Sequence, residues 1–228
     1  MVSTHSWHAL ESDPDLWRSY VEQLGVRANS LDFVEIYSLD NSDQPDVPIF
    51  AYIFLYPHGV SSRFPASDSS QADTDDNVWT IKQIPELDSC CGLIALLHAI
   101  GNNRDLVTFD PASPLAQFFE KTQMMTPEER GTALLNNKTI HRVHEEIAQQ
   151  GQTAVVESGK VGYHYVAYVV LNGSKFYELN GGAKEHQERF IECLGNATFF
   201  TRVCHQVKEK VKALSGDIRF NLIGLARK

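Results

Sequence analysis

From Cys90 to Ile100 the chain reads Cys-Cys-Gly-Leu-Ile-Ala-Leu-Leu-His-Ala-Ile, without a charged side chain, and then stops at Gly101-Asn102-Asn103. Gly and Asn end helices because they accept the left-handed backbone that a helix C-terminus uses. A helix that is apolar on every side is a buried one, so Cys91 is expected at the start of a buried helix. Of the 228 residues 43% are hydrophobic, enough to enclose such a helix without disulfide staples.

Other elements are legible around it. A helix is expected over 12–24, where Ser12, Asp13 and Pro14 precede Leu16, Trp17, Tyr20, Val21 and Leu24, and Gly25 closes it. Helices are also expected over 113–122, 127–136 and 138–149, the first two opened by Ser113-Pro114 and Thr126-Pro127, and over 198–214. The apolar runs Phe33–Tyr37, Phe50–Leu55, Val78–Gln83 and Ile218–Leu225 read as strands. Tyr163–Val170 and Phe176–Leu179, joined through Asn172-Gly173, read as a β-hairpin. The polar stretch 60–77 reads as a surface loop, because its composition cannot repay its ordering entropy by burial. Helices and strands come in blocks, which predicts an α+β fold in a single domain over 1–228.

The balance of charge narrows the partners. With 20 Lys and Arg against 29 Asp and Glu, the net charge is −9, which disfavours nucleic acid and anionic membranes, since both recruit basic residues. Met1 to Tyr20 lacks the basic start and apolar centre of a secretory signal, so a cytoplasmic location is expected. Cys90, Cys91, Cys193 and Cys204 form no zinc spacing, which predicts reduced thiols, no metal and no cofactor.

Two positions stand out chemically. A thiol at a helix N-terminus, followed by Gly92, has the setting that lowers a cysteine pKa and makes a nucleophile. His164 opens the apolar hairpin, where an imidazole is costly without a partner, and Asn180 follows the return strand. A hairpin brings its entrance and exit together, so Asn180 can hold the ring while His164 activates Cys91. Cys, His and Asn in this order fit a cysteine hydrolase. A core cysteine and a satisfied core histidine are the bland alternatives. His98, seven residues past Cys91, lies about 10 Å along the helix axis and reads as packed. Glu178 shares a strand face with Asn180 and is a second candidate to support the imidazole.

On these residues the chain resembles the ubiquitin C-terminal hydrolases, papain-like cysteine deubiquitinases. The resemblance runs from Trp7-His8-Ala9-Leu10-Glu11-Ser12-Asp13-Pro14 through Phe33-Val34-Glu35-Ile36-Tyr37, Lys82-Gln83, Cys91-Gly92-Leu93-Ile94, His164-Tyr165-Val166 and Tyr177-Glu178-Leu179-Asn180-Gly181 to Arg219-Phe220-Asn221. It implies an α/β/α sandwich, with helices on both sides of a central, mainly antiparallel sheet and a knotted course. It also implies thiol-dependent hydrolysis at the C-terminal glycine of ubiquitin by a monomer. Residue by residue, it gives Cys91 as nucleophile, His164 as base and Gln83 as oxyanion donor, with Leu10, Glu11, Glu35 and Arg219 where ubiquitin contacts are expected. Residues 152–163 correspond to a loop crossing the active site, whose roughly 35 Å of contour favours small or unfolded leaving groups.

Three departures bear on activity. Asn180 stands where the family has Asp; it can still hold the imidazole but brings no charge. Gln83 precedes Cys91 by eight residues rather than six, so the extra residues within 84–89 must bulge or Gln83 misses the oxyanion. Cys90 replaces a small residue and offers a second thiol. The rival readings are a ubiquitin-binding module that has lost turnover and a hydrolase of another ubiquitin-like modifier.

Overall fold

The structure is a computed structural model that describes residues 7–57, 78–152, 162–171, 175–182, 198–213 and 219–228, together with the backbone of 189–193. Among these residues one sheet of six strands forms, comprising β1 (Leu31–Glu35), β2 (Ile49–Pro57), β3 (Tyr163–Leu171), β4 (Lys175–Leu179), β5 (Arg189–Cys193) and β6 (Asn221–Arg227). The spatial order is β1-β6-β2-β3-β4-β5, and each neighbouring pair is antiparallel. The last strand of the chain therefore lies between the first two.

Successive strand residues face opposite sides of a sheet, and both sides here are apolar. Ala51, Ile53, Tyr165, Ala167, Val169, Ile223 and Leu225 face one layer, while Tyr52, Phe54, Tyr56, Val166, Tyr168 and Leu222 face the other. The first layer contains α1 (Pro14–Gln23), α2 (Cys91–Gly101), α3 (Pro114–Thr122), α4 (Pro127–Leu135) and α5 (Lys138–Ala148). The second is α6 (Phe199–Ala213), which lays Phe200, Val203, Cys204 and Val207 on the sheet. This is the expected α+β sandwich. The polar stretch 60–77, the turn at 172–174 and most of the crossing loop lie outside the described residues.

Local chemistry sets the helix ends. Asp13 accepts the N–H groups of Asp15 and Leu16 at 2.8 and 3.0 Å, fixing the start of α1, and Gly25, with φ +92°, closes the turn after it. Thr126 and Glu129 form a reciprocal capping box on α4. All eleven residues of α2 are buried, as its composition requires.

Val78–Gln83 corrects one expectation, because it forms no strand and pairs with none among the described residues. Side chains on α2 and at its C-cap replace the missing neighbour: the Trp79 N–H donates to Asn102 Oδ1 at 2.8 Å, and the Ile81 N–H to His98 Nε2 at 2.8 Å. The Lys82 N–H donates to the Pro127 carbonyl at 2.9 Å and that of Gln83 to the Gly181 carbonyl at 2.8 Å. Arg130, buried with its guanidinium 5.1 Å from the centre of the Trp79 ring, donates to the Thr80 carbonyl at 3.0 Å. The segment carries a strand's apolar pattern because it is buried, but α2 lies where a partner strand would be. The short β5 had no distinctive pattern and was not expected.

His98 and His144 are fully buried, and burial pushes both imidazoles down to about 4. An unfolded histidine titrates near 6.5, so between about 6.5 and about 4 the unfolded chain binds protons that the folded chain does not. Stability contributed by these two groups is present above that window and lost as pH falls through it, on the order of 3 kcal/mol per histidine. Urea midpoints taken from pH 7.5 to 4 should decline accordingly, and His98→Gln should lessen the slope. An unchanged slope in that variant would refute the assignment.

Candidate active site

Helix α2 begins at Cys91, and the preceding Cys90 offers no capping side chain. The first N–H groups of a helix lack partners within it, and the backbone N–H groups of Tyr165, Gly92 and Cys91 itself act on the Cys91 thiol to lower its pKa. The expected lowering of the thiol pKa is nevertheless reversed. Cys91 is 5% exposed, and burial pushes its thiol up by more than the three N–H groups pull it down. The free protein therefore holds Cys91 as a thiol, and something must take its proton. Cys90 is more deeply buried, and both burial and the neighbouring Cys91 push it well above the ordinary range, which makes it the poorer nucleophile.

Strand β3 reaches this helix start closely. A Cβ at Gly92 would stand 3.3 Å from two carbons of the Tyr165 ring, tighter than an ordinary contact, so glycine here eases the approach of strand and helix. The Tyr165 hydroxyl donates to the Leu10 carbonyl at 3.0 Å, fixing the N-terminal segment over the same turn. These contacts set the residue after His164 against the nucleophile's turn.

His164 lies opposite Tyr56 in the register of β2 and β3, with the Tyr56 ring at a T-shaped 5.8 Å. Its Nε2 is 2.8 Å from Asn180 Oδ1. The Gly182 N–H also donates to that Asn180 oxygen, at 2.9 Å. A backbone N–H can only donate, so the shared atom is oxygen, and His164 Nε2 must carry a hydrogen. The basic nitrogen of the neutral ring is then Nδ1. The hairpin thus fixes the imidazole tautomer that a thiol base requires.

Gln83 is near this couple, with its Oε1 3.3 Å from where a Cβ on Gly182 would stand. Its Nε2, however, donates to the carbonyls of Leu87 at 2.8 Å and Asp88 at 2.9 Å. The long spacing to Cys91 is taken up by a 3-10 turn, Pro85–Leu87, whose end supplies those carbonyls. An amide NH2 has two hydrogens, and both have acceptors here that are not a substrate oxygen.

The expected partner-contact residues divide. Leu10 is buried, Glu11 Oε2 accepts the Gln152 N–H at 2.7 Å, and Glu35 accepts from Asn221 Nδ2 and the Tyr37 hydroxyl, each at 2.7 Å. Arg219 is exposed just before β6. His98 is the packed residue its position predicted. Glu178 is paired with Lys210 at 2.9 Å, both buried, so it is not the group that holds the imidazole. Tyr165, Tyr56 and Gly182 are the positions that sequence reading did not single out. Their roles depend on contacts far apart in the chain, and only Gly182, beside Gly181, carried a local signal. Among the described residues no cluster of three or more His, Cys, Asp or Glu side chains could hold a metal ion.

Comparison with known proteins shows the family and the fold. A model of the family described as ubiquitin carboxyl-terminal hydrolase, family 1, matches residues 7–212. A ubiquitin carboxyl-terminal hydrolase of Aplysia californica is 34% identical over 184 residues, covering 79% of this chain and 84% of that protein. Ubiquitin carboxyl-terminal hydrolase 3 of Arabidopsis thaliana is 28% identical, covering 99% of this chain and 96% of its own. Isozyme L1 of Homo sapiens is 27% identical, covering 96% of this chain and 97% of its own. In fold, the chain is similar to the Trichinella spiralis UCH37 catalytic domain crystallised with ubiquitin vinyl methyl ester. That match has a TM-score of 0.78 at 24% identity and covers 100% of both chains.

The Asn180 contact predicts a spectroscopic result. In nitrogen-15 NMR at neutral pH, His164 should show the tautomer protonated at Nε2. Asn180→Leu, which has similar size and no acceptor, should yield a mixture of tautomers, while a wild-type spectrum with Nδ1 protonated would contradict the assignment.

Proposed function

This chain belongs to family 1 of the ubiquitin carboxyl-terminal hydrolases, and from that premise we propose that Cys91, His164 and Asn180 carry out thiol hydrolysis at the C-terminal glycine of ubiquitin, releasing small or extended adducts. Membership makes it a cysteine-type hydrolase and a deubiquitinase. The single observation that supports these residue roles is the His164 Nε2–H bond to Asn180 Oδ1, 2.8 Å long, on a strand that touches the first turn of the Cys91 helix.

The steps follow from that arrangement. As Cys91 Sγ attacks the glycine carbonyl, its proton passes to His164 Nδ1, and the carbonyl oxygen becomes an oxyanion near the N–H groups at the start of α2. Collapse of the tetrahedral intermediate breaks the bond to the adduct, whose amine or thiol takes the proton from His164. Water, deprotonated by the same nitrogen, then attacks the thioester, restoring the Cys91 thiol and freeing the glycine carboxylate. Burial suits this order, since a thiol that keeps its proton at rest needs a base at the moment of attack.

Asn180 supports the imidazole without charge, so the imidazolium formed during the reaction is less stabilised than a carboxylate would make it. Asn180→Asp should therefore raise turnover near pH 8 and move the acidic limb of the kcat/KM profile upward, because a negative partner raises the imidazole pKa. The residue roles are tested by labelling with a ubiquitin probe bearing a C-terminal electrophile. Wild type and Cys90→Ala should form the adduct and Cys91→Ala should not; an undiminished adduct with Cys91→Ala would overturn the assignment of the nucleophile.

A further inference from the structure

Asn180 precedes a position where packing demands glycine. A Cβ on Gly181 would stand 2.7 Å from Ile94 Cγ2 and 3.0 Å from Ile81 O, so any larger residue there would displace a neighbour. Asparagine before glycine is the pair in which the side-chain amide is most easily lost, because a following residue without a Cβ lets its nitrogen approach the asparagine Cγ. In this fold the amide is also held in a particular way. Its Oδ1 accepts the Gly182 N–H at 2.9 Å and the His164 Nε2–H at 2.8 Å. Two fixed donors on one carbonyl oxygen stabilise the oxyanion that forms when a nucleophile adds to the carbon. Here that carbon is Asn180 Cγ.

We propose that Asn180 is a self-modification site, which the folded chain converts to aspartate with the His164 Nε2–H and the Gly182 N–H as the donors that promote the step. The proposal rests on the His164–Asn180 couple described above and gives it a second, charged state.

The chemistry consumes one water and releases one ammonia, with no oxidant or reductant. The Gly181 nitrogen bonds to Asn180 Cγ and gives up its hydrogen as a proton. The side-chain carbon–nitrogen bond breaks, and the amide nitrogen leaves with a proton as ammonia, closing a five-membered succinimide. Water then adds to Cγ, the bond from Cγ to the Gly181 nitrogen breaks, that nitrogen regains a hydrogen, and a carboxylate remains. Both additions place negative charge on Oδ1, between the same two donors. Opening the ring at the main-chain carbonyl instead would give isoaspartate and lengthen the backbone by one carbon. The chain is held on both sides of that point: Leu179 pairs with Ala167 in the β3–β4 ladder, and the Gly181 carbonyl accepts the Gln83 N–H at 2.8 Å. Aspartate is therefore the product the turn accommodates, and its carboxylate still offers an oxygen to each donor.

The experiment incubates freshly made protein at pH 7.5 and follows the tryptic peptide Phe176–Lys184 by mass, with fragmentation that separates aspartate from isoaspartate. The comparisons are the same peptide made synthetically and His164→Phe, which keeps a ring at 164 and lacks the donor. In the same samples kcat/KM is measured on a ubiquitin C-terminal fluorogenic amide. Folded wild type should convert about tenfold faster than the free peptide, and His164→Phe should fall to the peptide's rate or below. The product should be aspartate, and kcat/KM should climb with the converted fraction toward the value of Asn180→Asp. A folded rate no higher than the peptide's would overturn the proposal, as would isoaspartate as the main product or a His164→Phe rate equal to wild type. Conversion as expected with kcat/KM unchanged would uphold the modification and overturn the role of Asn180 in turnover.

Discussion

Helix α2 has no face that water can occupy. With all eleven of its residues buried, every side needs a covering layer: the sheet on one side, other helices beyond, and the extended segment Val78–Gln83 along its length. Among the described residues that segment has no partner strand, and unpaired backbone N–H groups in such a place would each be costly. His98 and Asn102, the polar residues on or just past an otherwise apolar helix, accept two of them. Burial of α2 therefore dictates both its rare polar side chains and the course of the chain that leads to Gln83 and back to Cys91.

The same burial shapes the chemistry. A helix start in water would favour a thiolate; buried at 5% exposure, the Cys91 sulfur has its pKa pushed up instead. Desolvation outweighs the N–H groups directed at it because it acts on the whole charge, whereas each hydrogen bond offsets only part. A protonated nucleophile makes the tautomer of His164 decisive. That tautomer is fixed by a backbone N–H, from Gly182, which settles the orientation of the Asn180 amide and hence which ring nitrogen carries the hydrogen. An uncharged partner suffices to orient the ring, and orientation is separable from stabilising the imidazolium.

Much of the fold was legible where local pattern and tertiary demand coincide. The capped starts at Asp13, Thr126 and Ser113, the hairpin strands and the apolar α2 all express preferences contained within a few residues. Val78–Gln83 was misread because burial produces the same apolar run whether a strand or a helix lies alongside. Glu11 and Glu35 were expected among the ubiquitin contacts, and their carboxylates also hold Gln152 and Asn221, residues more than a hundred positions away. Nothing in a short window announces such a pairing.

The sequence by itself determined that Cys91 starts a buried helix and that His164 and Asn180 sit at the open end of one hairpin, because periodicity and turn chemistry are local. Tertiary structure alone decided that Cys91 keeps its proton and that Asn180 rather than Glu178 holds the imidazole. Each of those outcomes depends on desolvation or on a donor and acceptor brought together from distant segments, and neither quantity exists until the chain has closed on itself.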